Sequence, residues 1–314
     1  MSPSAPGGPA TADPLVPAAP VAESPLAAAG WMALALCCFS ALAVAGREAA
    51  AELDTFEILA FRSVISLVIV VAVAAASGAL PLIRARRMRL HLTRNCFHFA
   101  GQNLWFHAVA VIPLTQVFAY EFTSPIWIAL LAPLVLGERF ARARLLAAAI
   151  GFAGILVIAQ PWASEAGAAF GPGQAAALAA AVGFAFNIML TKRLSASEST
   201  VSIMFFMCAI QAVMGFVCAG ADLDIALPSR TLPWIVLIGV CGLAAHYCVA
   251  RALSRAPATV VAPMDFGRLP MIAVVGMLLY AEPLEVAVFA GAALVLTANL
   301  INLRAERRRA APGV

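Results

Sequence analysis

Residues 108–140, AVAVIPLTQVFAYEFTSPIWIALLAPLVLGERF, and residues 253–284, LSRAPATVVAPMDFGRLPMIAVVGMLLYAEPL, carry one pattern twice, 144 residues apart. Pro113 falls on Pro257, Glu121 on Asp265, Phe122 on Phe266 and Glu138 on Glu282, with no gap. Extended backward, the register sets Gln102 against His246 and Asn103 against Tyr247. Each stretch holds an apolar run long enough to cross roughly 30 Å of hydrocarbon at about 1.5 Å per helical residue, and each carries one carboxylate inside that run. A chain that repeats a membrane helix at this distance is built from two copies of one unit.

Counting outward from this pair gives the size of the unit. Apolar blocks lie near 27–46, 56–78, 95–112, 115–136, 144–161, 174–191, 199–220, 233–251, 258–280 and 284–303. That makes ten, five per copy. An odd number forces the copies to enter the membrane with opposite orientation, which is the inverted-repeat plan of many secondary transporters. The expected fold class is an all-α polytopic membrane protein, with ten transmembrane helices as two inverted five-helix repeats around a central cavity. The expected division is a disordered tail 1–26, a first repeat 27–161, an outer linker 162–173, a second repeat 174–303 and a basic tail 304–314.

Composition and charge agree with that plan. The 314 residues are 63% hydrophobic and 11% charged, whereas a soluble domain carries roughly 25% charged residues. The net charge of +4 calls for no nucleic acid, because the basic residues gather at block ends. Arg84, Arg86, Arg87, Arg89 and Arg94 follow the second block, and Arg139, Arg142 and Arg144 the fourth. Lys192 and Arg193 follow the sixth, Arg251 and Arg255 the eighth, and Arg304, Arg307, Arg308 and Arg309 the tenth. Arg47 and Arg230 fall on the other side, and Arg62 and Arg268 lie within blocks. Every second loop is basic, so the positive-inside rule places both termini in the cytoplasm. Residues 1–26 lack the positive start of a secretory signal, so no cleavage is expected. The setting expected is a bacterial inner membrane.

The order of these features resembles the drug/metabolite transporter superfamily, in particular its EamA-type ten-helix proteins. The resemblance rests on Arg62 in LAFRSVISLVIV (59–70), on Pro113, Pro125 and the Gly137-Glu138 pair in the stretch quoted first, on GFAGILVI (151–158), and on the stretch 253–284. It covers nearly all of 27–303. It implies two five-helix bundles around a cavity, with the fifth and tenth helices peripheral, and cargo drawn from amino acids, nucleotide-like molecules, sugars, vitamins and drugs. Glu121, in YEFTSP, departs from the smaller or apolar residues that the resemblance leads one to expect there.

Ionisable groups inside a membrane cost roughly 2.5–3.5 kcal/mol each at a helix centre, so they face a cavity or a partner. Glu121 and Asp265 are expected on opposite sides of the midplane, either as a proton or cation relay or simply paired with neighbouring bases. Asp265 and Arg268 share a helical face. They form either a neutralising pair or an arginine grip on a substrate carboxylate or phosphate. Arg62 reads as an anchor near the outer mouth. Asn103 and His107 share one face of the third helix, with Gln102 about 100° away, and His246 and Tyr247 match from the eighth; these are expected to line the cavity. Trp105, Phe106, Tyr120 and Trp127 supply aromatic surface, either to core packing or to an aromatic cargo. His91 and His98 are expected to be solvated. Pro125, Pro133, Pro263 and Pro270 read as helix-interior prolines that free carbonyls.

No GxxxxGK[ST] loop is present, so ATP is not the direct energy source, and no HExxH or GxSxG element points to an enzyme. The seven cysteines form no CxxC pair and no cysteine–histidine spacing suits zinc, so neither metal nor cofactor is expected. The partners expected are a small-molecule solute and the bilayer. Small faces at Gly151, Gly154, Gly291, Ala292 and Ala293 suit close packing within or between subunits, which leaves room for a homodimer. The leading function is a secondary transporter of a small polar or zwitterionic metabolite working by alternating access, with proton coupling as a sub-hypothesis. The rival is a membrane enzyme with paired carboxylates, which requires Glu121 and Asp265 to meet.

Overall fold

The computed structural model describes residues 24–136, 142–160, 170–220, 230–256, 261 and 264–310. The expectations for residues 1–23 and 162–169, for Glu138, Pro257 and Pro263, and for the last four residues lie outside these. The described residues are helical throughout, apart from turns and short loops. The helices are α1 (Pro25–Ala49), α2 (Thr55–Ala76), α3 (Met88–Val111), α4 (Leu114–Glu121), α5 (Ser124–Leu136), α6 (Arg142–Ala159), α7 (Pro172–Ser195), α8 (Thr200–Ala219), α9 (Leu232–Leu253), α10 (Arg268–Tyr280) and α11 (Val286–Ala310). Six stretches are long and apolar enough to span a membrane: Leu26–Ala49, Thr55–Ala76, Leu114–Val135, Pro172–Ser195, Thr200–Ala219 and Leu232–Leu253. Shorter apolar helices accompany them. Large apolar side chains such as Leu134 (79% exposed), Val217 (73%) and Leu278 (72%) point away from the protein. Outward side chains of this kind are solvated by lipid. The chain is a multi-pass membrane protein.

Local chemistry sets the helix starts. Asp54 caps α2 by accepting from the Phe56 and Glu57 amides at 2.7 and 2.8 Å, and Glu57 accepts from the Asp54 amide at 2.8 Å, a complete capping box. Ser199 caps α8 through the Ser202 amide at 3.1 Å. Ser24 caps α1, with Pro25 in the first helical position, where a missing N–H is harmless.

Three expectations need correction. The third block begins seven residues early, at Met88 rather than 95, so Arg89 and Arg94 ride on α3 instead of lying in the preceding loop. Its amphiphilic first turns read as loop, yet they pack inside: His91 and Arg94 are buried. The last block runs on past 303 as α11, to Ala310.

The fourth block is not one helix. It breaks at Phe122–Thr123 between α4 and α5. Pro125 has no N–H for the Glu121 carbonyl four residues earlier, and the Ser124 hydroxyl donates to that carbonyl instead, at 2.7 Å. Pro125 thus sits in the first turn of α5 rather than inside a helix. The second copy shows the same turn. The Thr123 amide bonds to the Tyr120 carbonyl at 3.0 Å, and the Gly267 amide, 144 residues on, bonds to the Met264 carbonyl at 3.0 Å. Pro270 then falls in the first turn of α10, and the Phe266 carbonyl it would leave bare accepts from Leu269 at 3.1 Å.

Packing pairs a helix from before residue 160 with one from after 171. α1 lies on α9, α3 on α7, α2 on α8, α4 on α10 and α6 on α11. Phe122 and Phe266, equivalent in the 144-residue register, touch each other with ring centroids 4.6 Å apart. Along α6 and α11 the backbones come close: a methyl group at Gly154 would stand 2.7 Å from the Gly291 carbonyl oxygen.

Candidate functional site

The meeting of α4, α10 and the helices beside them leaves a cavity of about 620 Å³. Its wall draws on both halves of the chain. Arg62, Gln102, Trp105, Glu121, His246, Asp265 and Arg268 all face it, with Phe39, Phe118, Phe122 and Phe184 between them. Phe106 also lines it. Away from this lining, Arg47 pairs with Glu282 and donates to the carbonyls of Val109 and Ile112. Glu282 also accepts from the Leu114 amide at 2.9 Å. Tyr280 donates to Glu48 at 2.8 Å.

The centre of the cavity is Arg268, which is 5% exposed. It begins α10 immediately after the turn, and its position there puts the guanidinium between two acids. One nitrogen donates to Glu121 at 3.0 Å and another to Asp265 at 2.6 Å. Trp105 holds the second Glu121 oxygen through its indole N–H at 2.8 Å. The guanidinium lies over the Phe39 ring, 3.9 Å from the centroid, with Phe118 and Phe122 at 5.5 and 5.6 Å. Of the roles weighed for the two acids, this is the pairing with a neighbouring base. The breaks in the fourth and ninth blocks bring their turns together, so both acids reach one base. What lies between the carboxylates is a cation, so they do not form the proton-sharing dyad that the enzyme reading requires.

Four of the residues singled out from the sequence are elsewhere. Asn103 donates to the Phe99 carbonyl of its own helix at 2.9 Å, and His107 is exposed on the far side of α3. The face of α3 that meets the cavity is His98, Gln102, Trp105 and Phe106, spaced i, i+4, i+7 and i+8, so Gln102 and not the Asn103–His107 stripe points inward. Tyr120 is fully buried in the core, because on α4 it stands about 100° from Glu121. Tyr247, 43% exposed, packs edge-on against Trp31 with centroids 5.9 Å apart. It lines a second, apolar cavity of about 580 Å³ between α2, α8 and α9. His246 and Leu243 border both cavities.

Arg62 sits in the cavity wall, where it donates to Gln102 and, at 2.9 Å, to Gln211. The Gln211 amide in turn meets His98 Nδ1 at 2.7 Å and Asn95 at 3.4 Å. His98 is therefore buried in a network rather than solvated, and His91 lies 3.8 Å from Glu198. Gln211, Asn187 and Phe39 were not anticipated. The two amides were legible by the rule that exposed Glu121, since each interrupts an apolar run (IMFFMCAIQAVM and GFAFNIML). Phe39 had no such signal among 18 phenylalanines. Among the described residues no cluster of ligating side chains suits a metal ion.

Comparison with known proteins matches this geometry to a family. The model of the EamA-like transporter family fits residues 26–160 and again 171–304. A riboflavin transporter of Rhizobium johnstonii is 34% identical over 222 residues, covering 70% of this chain and 71% of that protein. An S-adenosylmethionine uptake transporter of Rickettsia bellii is 24% identical over 279 residues, 89% of this chain and 94% of the relative. A pseudopaline exporter of Pseudomonas aeruginosa is 26% identical over 86% of this chain and 93% of its own length. One solved crystal structure superposes with a TM-score of 0.61 over 90% of this chain and 99% of its own, at 19% identity, a likeness of fold alone. With the family model matching both segments of the chain and the relatives named as transporters, the chain is a transporter; it belongs to the EamA-like transporter family.

Proposed function

We propose that the chain is a secondary transporter that carries a small polar or zwitterionic metabolite with a flat heteroaromatic part across a bacterial inner membrane by alternating access. In this reading it spans the membrane ten times as two inverted five-helix repeats, 27–161 and 174–303, with both termini cytoplasmic. The pairing of helices supports the inversion. An exchange of the halves turns the α1–α9 contact into the α7–α3 contact and returns α2–α8 and α6–α11 to themselves. Gly151 against Ala298 and Gly154 against Val295 are one contact seen twice in the 144-residue register. Sidedness rests on the basic loops.

The observation that carries the function is Arg268 shared between Glu121 of one half and Asp265 of the other, on the wall of a cavity of about 620 Å³. A polar solute bound there can compete for a buried ionic cluster that joins the halves, so binding is linked to their relative movement. The aromatic lining supplies stacking surface, and riboflavin and S-adenosylmethionine, the cargo named for the relatives, are heteroaromatic. The turns at Phe122–Thr123 and Phe266–Gly267 supply flexing points.

The test is uptake into vesicles holding the purified chain, with riboflavin, S-adenosylmethionine and an untargeted extract as cargo. Accumulation of a discrete solute is expected, with Glu121→Gln and Asp265→Asn each reducing it at least about tenfold, roughly 1.4 kcal/mol. No accumulation of any solute overturns the reading. If an imposed pH gradient drives wild-type uptake, the double variant should lose that dependence; unchanged gradient-driven uptake sinks the proton-coupling part. Reporter fusions should place both ends in the cytoplasm.

A further inference from the structure

Two buried guanidiniums line the cavity and a third, Arg94, lies outside its wall; they are not equivalent. Arg268 already holds two carboxylates, so its cluster is formally negative. Arg62, 9% exposed, meets no carboxylate among the described residues. One of its terminal nitrogens donates to the side-chain oxygens of Gln102 and Gln211, one from each half, and its Nε has no partner. Behind it Arg94, 5% exposed, reaches, among the described residues, the Thr191 hydroxyl at 2.9 Å and the Met207 sulfur at 3.6 Å. The two glutamines orient Arg62 without cancelling its charge. A buried cation left in that state is costly unless an anion completes it.

We infer that Arg62 is the anion-binding subsite of the cavity, taking a carboxylate or phosphate of the cargo. The excess negative charge at Glu121 and Asp265 takes the cationic or hydrogen-bond-donating part of the same molecule. The assignment of the bound molecule as cargo rests on the transporter reading; the anion site itself does not. From the sequence, Arg268 was the candidate for gripping an anion, but both its terminal nitrogens are committed to Glu121 and Asp265, and its Nε, like that of Arg62, has no partner; what distinguishes Arg62 is that no carboxylate among the described residues meets it. A buried guanidinium held only by neutral amides, with no carboxylate against it, is the group suited to recognition of a carboxylate or phosphate.

The experiment is thermal unfolding of the purified full chain in detergent, titrated with benzoate or benzamide at constant chloride and ionic strength. The two probes share one shape and differ in charge. Benzoate is expected to raise the unfolding midpoint by several degrees and benzamide by less than about one. Arg62→Gln should abolish the benzoate shift, and Arg94→Gln, which does not line the cavity, should retain it. Equal shifts for the two probes, or a benzoate shift that survives Arg62→Gln, overturns the inference. Should Arg62→Gln fail to fold, Arg62→Lys decides. It keeps the charge but loses the fork, so the shift should fall at least about threefold; an unchanged shift overturns the inference. Vesicle uptake reports separately: absence of any carried solute sinks the transporter reading whether or not benzoate binds.

Discussion

Arg268 is the residue on which most of the site depends. It stands between two acids in a low-dielectric wall and offsets one of their two charges. Arg268→Gln is expected to cost about 3–5 kcal/mol, the usual cost of orphaning buried charge, read as a large fall in the unfolding midpoint in detergent. Adding Glu121→Gln removes one orphaned charge, and because glutamine still offers an oxygen to the Trp105 indole, the double variant should be more stable than Arg268→Gln alone. If the two losses simply add, Arg268 and Glu121 are not coupled and the cluster is misdescribed. The sequence exposed Glu121, Asp265 and Arg268 one by one, since charge inside an apolar run is visible without a structure. It did not say which arginine is spent on acids and which is left over. That depends on where Arg62 and Arg268 point, and the 144-residue register pairs neither with the other.

At the scale of the helix, the break before α5 is a small hydrogen-bonding problem solved by two adjacent residues. Pro125 withholds a donor from the Glu121 carbonyl, and Ser124 supplies one at 2.7 Å. Ser124→Ala is expected to cost about 1 kcal/mol for the bared carbonyl. Ser124→Ala with Pro125→Ala should recover most of that, because the restored amide at 125 can reach the same oxygen. A double variant no better than Ser124→Ala would show that the hydroxyl does not serve this carbonyl. At the other side of the molecule, α6 and α11 approach until backbone meets backbone. Gly154→Val is expected to cost about 2–3 kcal/mol of overpacking, since the Gly291 carbonyl at 2.7 Å cannot rotate away as a side chain can; a midpoint unchanged by the valine would count against that contact. Both prolines were visible in the sequence, but as kinks inside one long helix. Only the pattern of hydrogen bonds distinguishes a kinked helix from two helices joined by a turn.

For the whole molecule, an ion pair between Arg47 and Glu282 ties the opposite halves together. The pair is embedded: Arg47 also serves two carbonyls and Glu282 the start of α4. Arg47→Gln is expected to destabilise by about 3 kcal/mol. Exchanging the charges, Arg47→Glu with Glu282→Arg, should recover less than half of that, because a glutamate at 47 cannot donate to the Val109 and Ile112 carbonyls. Full recovery in the unfolding midpoint would mean that the pair acts through charge alone.

The sequence by itself determined the solvent, the helical class and the family, because these follow from composition, run length and order, which are properties of the chain read along its length. It also marked the acids and bases that the membrane cannot ignore. The tertiary structure decided which of them meet: that Glu121 and Asp265 share Arg268, that Arg62 lies in the cavity wall beside Gln211, and that Asn103, His107, Tyr120 and Tyr247 face elsewhere. The reason is angular. Adjacent positions on a helix differ by about 100°, so a one-residue error in phase, or one break such as that at Phe122–Thr123, moves a side chain from the cavity to the core or the lipid without changing any feature that composition can register.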